Sequence, residues 1–550
     1  MEVCKQCSAE FEITKDDLAF YTKVSPVFAG KRYNIPPPKL CPDCRQQRRL
    51  AWRNERHLYH RKCDLTGKQI VTMYRPESIH PVYEQSAWWG DAWDPLSYGR
   101  PIAWDRSFFD QFQELLHVVP RISLINKEHE NSEYCNFSLH NRNSYLLFTS
   151  AECEDSYYTN RSWKCRNVCD CASLNDAELC YEVMDSDHCH TCTYLRSCTN
   201  NNDCHVGYDL KGCHHCIGCF GLRNASYCIG NVQRTEVEYK EEAPKLLRDI
   251  PALRTSFEKH LQSLPRKSMD SVNAVACTGN AIQHSKNARC CFEVMNVEDC
   301  AFVANATFMR DAYDVTNDDN SELVYEAVGS ESNYMHVFND ICWFNKHLLY
   351  CSLCFHCEHC FLCTGLKHMK YCILNKQFTK EEYETLVPKI IESMQKNSQW
   401  GEFFPVTLSL FGYNETLANE YFPSTEKQVL SRGWKWHTER DAHQCLGPDQ
   451  ELSHDIRDVP DEITNRILRC SVTGRPYKII PQELKFYRAM GLPLPKICPD
   501  QRHKDRNALR NPRKLWSREC SKCGKGMETT YNPERPEIVY CEECYLKTVY

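Results

Sequence analysis

Taken at every twelfth residue, the middle of the chain becomes regular. Ser144, Ser156, Val168, Cys180, Cys192, Cys204, Cys216 and Cys228 form one column. Ala288, Cys300, Ala312, Val324, His336, Leu348, Cys360 and Cys372 form a second. One position over run Tyr145, Tyr157, Cys169 and Tyr181, then Tyr313 and Tyr325. A three-residue frame lies beneath the twelve. Between Cys135 and Cys372, 22 of 25 cysteines fall at numbers divisible by three, and Cys169, Cys277 and Cys290 are the exceptions. The frame is otherwise filled mostly by Ser, Thr, Ala, Val, Leu or Asn. The next position is often Tyr, Phe or His, and the third is rich in Asp, Asn and Gly. A helix repeats at 3.6 residues and a strand at 2.0, so neither produces this pattern alone. A narrow β-solenoid with twelve residues per coil does, with small side chains inward and polar turn residues between. Its coils stack ~4.8 Å apart, so eight of them make a rod of roughly 38 Å. Cysteine is small and tolerant of burial, and nearest-neighbour stacking holds such rods together.

The pattern occurs twice. Asn141–Lys245 aligns without a gap to Ser285–Lys389 at a shift of 144, pairing Glu154/Glu298, Tyr181/Tyr325, Cys228/Cys372 and Tyr239/Tyr383. The ends are duplicated as well, Cys41–Trp88 aligning with Cys498–Tyr545 at a shift of 457. Internal repeats outrank every other signal for architecture. The expected fold is mixed α+β and multidomain, with two treble-clef or zinc-ribbon modules at the termini flanking two duplicated solenoid blocks joined by helices. The expected divisions are an N-terminal module over 1–90, a helical lead-in over 91–135, a first solenoid over 136–234 and a helical link over 235–275. A second solenoid follows over 276–378, then a helix and connector over 379–465 with a linker at about 446–462, and a C-terminal module over 466–550. Thr235 and Thr379 are expected to start helices, each being followed three residues on by Glu.

Metal is the clearest chemical signal. Cys520-x2-Cys523 and Cys541-x2-Cys544 supply four thiolates, the tetrahedral set that Zn²⁺ prefers. Cys4, Cys7, Cys41 and Cys44 make a second set with a longer spacer. Iron is the rival, since four-sulfur sites accept either metal. Each module also carries a decayed partner ribbon. Cys63 stands with Thr66, Glu84 and Ala87 at one end, and Cys470 and Cys498 with Thr473 and Gln501 at the other. One or two thiolates cannot close a structural site, so two zinc ions per chain are expected. The remaining cysteines, among 37 in all, read as stacked core thiols, and thiol redox chemistry is the alternative. The start of the sequence carries no export signal, and no apolar run approaches the ~20 residues needed to span a bilayer. These features point to a cytoplasmic chain with no membrane partner and no small-molecule substrate.

Charge is unevenly placed. Residues 45–62 and 502–518 each carry +6, while the whole chain is −6. Arg45, Arg49, Arg53 and Arg56, with Arg502, Arg506, Arg510 and Arg513, recur at three- and four-residue steps, which on a helix form one stripe. Next to Trp52, Tyr59 and Trp516 they are candidate contacts to RNA or DNA phosphates. The competing reading packs the same stripe on an acidic solenoid. No glycine-rich phosphate loop or catalytic constellation is present, so no enzyme is expected.

The chain resembles a family of large Cys-rich zinc-ribbon proteins of candidate-phyla (Patescibacteria-type) bacteria. Four motifs carry the likeness: Cys41 to Arg49, Asn375 to Tyr383, Trp400 to Pro405, and the closing Cys520-to-Cys544 ribbon. The resemblance spans the chain, implies zinc binding and implies no activity. Glu84 and Ala87 depart from it, where the family would carry cysteines. The combined expectation is a non-enzymatic zinc-binding adaptor that grips nucleic acid through its basic helices, with the solenoids as a rigid spacer. The alternative is a protein–protein scaffold without nucleic acid.

Overall fold

The computed structural model describes residues 1–438, 452–453 and 455–550. It is a mixed α/β structure built on two large sheets, one of ten strands between Asn160 and Gln233 and one of thirteen between Ser271 and Gln377. Nearly all their strands pair in parallel with a partner twelve residues away. Asn160 faces Ala172 and Cys204 faces Cys216 in the first sheet; Ala312 faces Val324 and Cys360 faces Cys372 in the second. Each sheet closes on a short antiparallel return, Val232–Gln233 and Lys376–Gln377.

The three-residue frame has a backbone cause. Arg161, Lys164, Asn167, Asp170, Ser173 and Asp176 all have φ between 46° and 55°, and the alternation continues through both blocks. Every third residue is a left-handed corner, which suits Asn, Asp and Gly best and explains their abundance there.

Corners that frequent leave each short side with three amides to satisfy. The corner residue donates back to the preceding repeat, as Asn143 N–H does to Glu130 O at 2.9 Å. The residue before it donates forward, as Arg142 N–H does to Cys153 O at 2.9 Å. The third amide points inward, where a buried donor needs a partner. The inward side chain twelve residues earlier supplies one: Asn141 Oδ1 accepts from Cys153 N–H at 2.9 Å, and Asn345 Oδ1 from Cys357 N–H at 2.7 Å. Ser144 Oγ accepts from Ser156 N–H, and Cys198 Sγ from Leu210 N–H. The inward frame therefore takes small or apolar side chains, and those that accept a hydrogen bond also satisfy this amide, whereas Val168, Leu174 and Leu195 fill it without an acceptor.

Helices flank the blocks. Glu236–Leu246 and Lys380–Lys396 follow them, each opened by the expected capping box at Thr235 or Thr379. Segment 95–100 lies across the end of the second block. Arg100 N–H donates to Leu374 O there, and a Cβ on Gly99 would meet Asn375 O at 2.5 Å, so only glycine allows the approach. Part of the linker expected at about 446–462 lies outside the described residues. Its later part is a correction, because Ile456, Val459 and Ile463 are buried against the C-terminal module. No helix among the described residues is long and apolar enough to cross a membrane.

The terminal modules dock crosswise. The helices Lys15–Val24 and Pro42–Leu50 pack on the second block, burying Phe20, Tyr21 and Val24 with Tyr313, Tyr325 and Phe338. The C-terminal helix Pro481–Met490 packs on the first block, burying Phe486 and Tyr487 with Tyr157, Tyr158 and Tyr181. Each module also adds a strand at the entrance to the other block: Val82–Tyr83 pairs with Arg121–Ile122, and Val539–Tyr540 with Arg266–Lys267. Each module thus touches both halves of the chain.

Candidate metal centres

A hairpin, Glu2–Val3 with Glu10–Phe11, presents Cys4 and Cys7. Cys41 caps the helix Pro42–Leu50, with Pro at its first position, and Cys44 lies in the first turn. The second set is built the same way. The hairpin Trp516–Glu519 with Gly526–Thr529 brackets Cys520 and Cys523, and Cys541 caps the helix Glu542–Val549 with Cys544 in its first turn. Within each set the four sulfurs lie inside 4.8 Å of one another. Cys7 and Cys41 are 3.6 Å apart, and Cys523 and Cys541 3.8 Å. A tetrahedral ion with bonds of about 2.3 Å separates its sulfurs by about 3.8 Å, so both sets fit a tetrathiolate ion. Each set draws some thiols towards the thiolate and others away from it: Cys41 pushes Cys44 up, and burial raises Cys7 and brings Cys544 to about 12. Burial works against ionisation at Cys520, but amides of Cys541, Lys522 and Cys523 outweigh it and bring the thiol to about 6. Cys41 is drawn to about 5, chiefly by Cys44. Cys7 and Cys523 are exposed, placing each centre at the surface. Four thiolates leave no coordination position for water.

The two incomplete cysteine sets stand on a similar hairpin followed by a helix. The hairpin Tyr59–Lys62 with Gln69–Thr72 presents Cys63, whose Sγ accepts from the amides of Thr66 at 3.4 Å and Glu84 at 3.3 Å. Glu84 caps the helix Gln85–Trp89, the place Cys541 holds in the other module, and its carboxylate pairs with Lys68 at 3.1 Å. Cys470 Sγ likewise accepts from Thr473 N–H at 3.5 Å, and Thr473 Oγ1 lies 3.8 Å from Cys498 Sγ. Among the described residues, the two complete tetracysteine sets are the groups placed to hold an ion.

The arginines stand elsewhere than expected. The helices end at Leu50 and Ala508, so Arg53, Arg56, Arg510 and Arg513 lie beyond them. Asn54, whose side chain accepts from His57 N–H, turns the chain after the first, and Pro512 follows the second. All eight side chains are 0 to 13% exposed. Arg45 and Arg49 both reach Asp314, at 2.9 and 3.2 Å, and Arg49 also reaches Glu326. Arg502 and Arg506 both reach Asp170, at 3.1 and 2.8 Å, and Arg506 also reaches Glu182. Arg53 pairs with Glu55, Arg56 with Asp500, Arg510 with Asp185 and Glu293, and Arg513 with Glu293. This corrects the expected phosphate-facing stripe: the positive charge is turned inward and neutralised within the chain. Trp52 is buried as well, edge-on to Phe403.

The acidic partners escaped the sequence reading, although a signal existed. Asp170 and Asp314 are related by the shift of 144, as are Glu182 and Glu326. Arg45 and Arg502, and Arg49 and Arg506, are related by 457. Two duplicated acids matching two duplicated bases mark one interface used twice. The interior cysteines are not all alike: burial opposes ionisation at Cys363, but bonds from neighbouring thiols outweigh it and bring it to about 6, and such bonds draw Cys216 and Cys354 down. Burial pushes Cys171, Cys198 and Cys291 well above the ordinary range, the condition of an inert structural cysteine.

No protein-family model matches this chain, and no curated protein is similar to it.

Proposed function

We propose that the chain is a non-enzymatic, zinc-dependent scaffold: two β-solenoid blocks clamped crosswise by terminal treble-clef modules, each stabilised by one tetrathiolate zinc, working in a reducing cytoplasmic compartment through contacts with other proteins. The observation that carries this reading is the duplicated buried ion-pair interface. Arg45 and Arg49 on Asp314, and Arg502 and Arg506 on Asp170, commit the basic residues to internal assembly. That supports the scaffold over the nucleic-acid adaptor. Zinc is proposed as the ion because a closed four-thiolate set matches its structural role, with iron, which the same set accepts, as the rival.

Elemental analysis of the purified chain should give two zinc ions, and four zincs or predominant iron would overturn that part. Cys523→Ser should remove one ion and loosen the helix Glu542–Val549. Cys44→Ser should remove one ion and also free the helix bearing Arg45 and Arg49, because metal binding supplies folding energy in such modules. Pull-downs with and without nuclease treatment separate the readings. Partners that survive nuclease support the scaffold, and loss of all partners on treatment restores the nucleic-acid adaptor.

A further inference from the structure

The two blocks differ along one edge in a way their shared backbone does not require. In the first block, Asn200, Gly212 and Asn224 occupy successive left-handed corners, the residues that adopt φ near +55° at least cost. At the corresponding corners of the second block stand Phe344, His356 and His368, with φ of 60°, 54° and 54°. Phe308 (φ 54°) replaces Lys164 at an earlier corner of the same edge. A bulky residue at positive φ is strained, and burial would ordinarily offset the strain. Here it does not: Phe308 is 58% exposed and Phe344 42%, while Tyr334 beside them is 40% exposed. The rings form a ladder in solvent, Phe344 on His356 at 4.9 Å and His356 on His368 at 4.8 Å.

Between Phe308 and Phe344, three repeats or roughly 14 Å apart, lies an open depression of about 470 Å³. Asn320, Ser332, Arg310, Glu322 and Lys346 line it beneath the aromatic edges. Asn320 Nδ2 donates to Ser332 Oγ at 3.2 Å, so amide and hydroxyl groups form its polar lining. We propose that this edge of the second block binds a neutral carbohydrate chain, with Phe308, Tyr334 and Phe344 as platforms for the C–H faces of sugar rings. The polar side chains between them would exchange hydrogen bonds with hydroxyls. Charge selects this ligand over a single-stranded nucleic acid. The aromatic platforms would suit bases, but Arg310 and Lys346 share the lining with Glu322, leaving a single positive charge over three repeats. A nucleic-acid groove needs an excess of positive charge to neutralise phosphates.

The test titrates the full chain with soluble neutral hexasaccharides of α-glucan, β-glucan, chitin and mannan types, and in parallel with oligothymidine. The first block's own residue is restored by Phe344→Asn, and Phe308→Lys is made separately. At least one saccharide should saturate the native chain at millimolar concentration or below, with affinity unchanged between low and high salt. Each substitution should weaken it by about tenfold or more. Phe344→Asn should not lower the thermal midpoint, because Asn relieves the corner, so lost binding cannot be assigned to misfolding. Failure of every saccharide to saturate, or equal binding by the variants, overturns the proposal. Salt-sensitive oligothymidine binding that the same substitutions abolish overturns it in favour of nucleic acid.

Discussion

At Cys153 the thiol has two acceptors for its one S–H proton, Ala151 O at 3.3 Å and Ser162 O at 3.4 Å. At Cys198 the sulfur also accepts from the amide of Leu210. A thiol is thus a small apolar filler that still offers a weak donor and a weak acceptor to inward backbone groups. Histidine at the same frame is a different matter. His336 is fully buried, its Nε2 lies 3.4 Å from Ser330 Oγ, and burial pulls its pKa down to about 3. Burial and the Arg121 charge do the same to His80. The unfolded-state value is about 6.5, so these groups are neutral when folded and take up protons only on unfolding. Their contribution is fully present above pH 6.5 and declines as pH falls towards 3, by at most about 1.4 kcal/mol per unit per histidine. Denaturant midpoints measured between pH 7 and 5 should therefore fall, and His336→Asn should flatten the slope. An unchanged slope would show that His336 does not titrate with unfolding.

At the scale of one repeat, the inward amide decides which substitutions are tolerated. Asn345 accepts from Cys357 N–H and donates to Cys354 O and Asn333 Oδ1. Asn345→Leu leaves the Cys357 amide unpaired in the interior, while Cys354 O keeps Trp343 N–H and Asn333 Oδ1 keeps Asn345 N–H, and should cost about 1–3 kcal/mol. Cys192 donates to His190 O at 3.2 Å and more weakly to Asn201 O at 3.7 Å. Cys192→Ala should cost about 1–2 kcal/mol, Cys192→Ser less, and Cys192→Arg should prevent folding by burying an unpaired charge. Chemical denaturation ranks the series. Equal stability of the Ala and Arg variants would place this column in solvent.

At the scale of the molecule, two buried carboxylates hold the crossed arrangement. Asp314 bonds Arg45 and Arg49, and Asp170 bonds Arg502 and Arg506. Removing one partner of a buried pair costs about 3–5 kcal/mol, since it strands the other charge. Asp314→Ala should expose residues 15–50 to hydrogen exchange while leaving 481–508 protected, and Asp170→Ala should do the reverse. Coupled loss of both regions in either variant would show that the modules release together, through contacts such as Arg56 with Asp500.

The sequence by itself determined the repeat, its register and the two tetracysteine sets. Those features rest on local, periodic chemistry: a twelve-residue pairing that recurs at Cys204/Cys216 and Cys360/Cys372, and Cys-x2-Cys knuckles whose spacing already encodes the ligand geometry. It also held the left-handed corners, visible as the Asp, Asn and Gly position of the frame. Where the arginines point was decided by the tertiary structure. Arg45 meets an acid 269 residues away and Arg506 one 336 residues away. A run of positive charge looks the same in sequence whether it faces solvent or a distant carboxylate. What separates the two cases is desolvation, a property of what covers the residue, and the covering surface here is supplied by the opposite half of the chain.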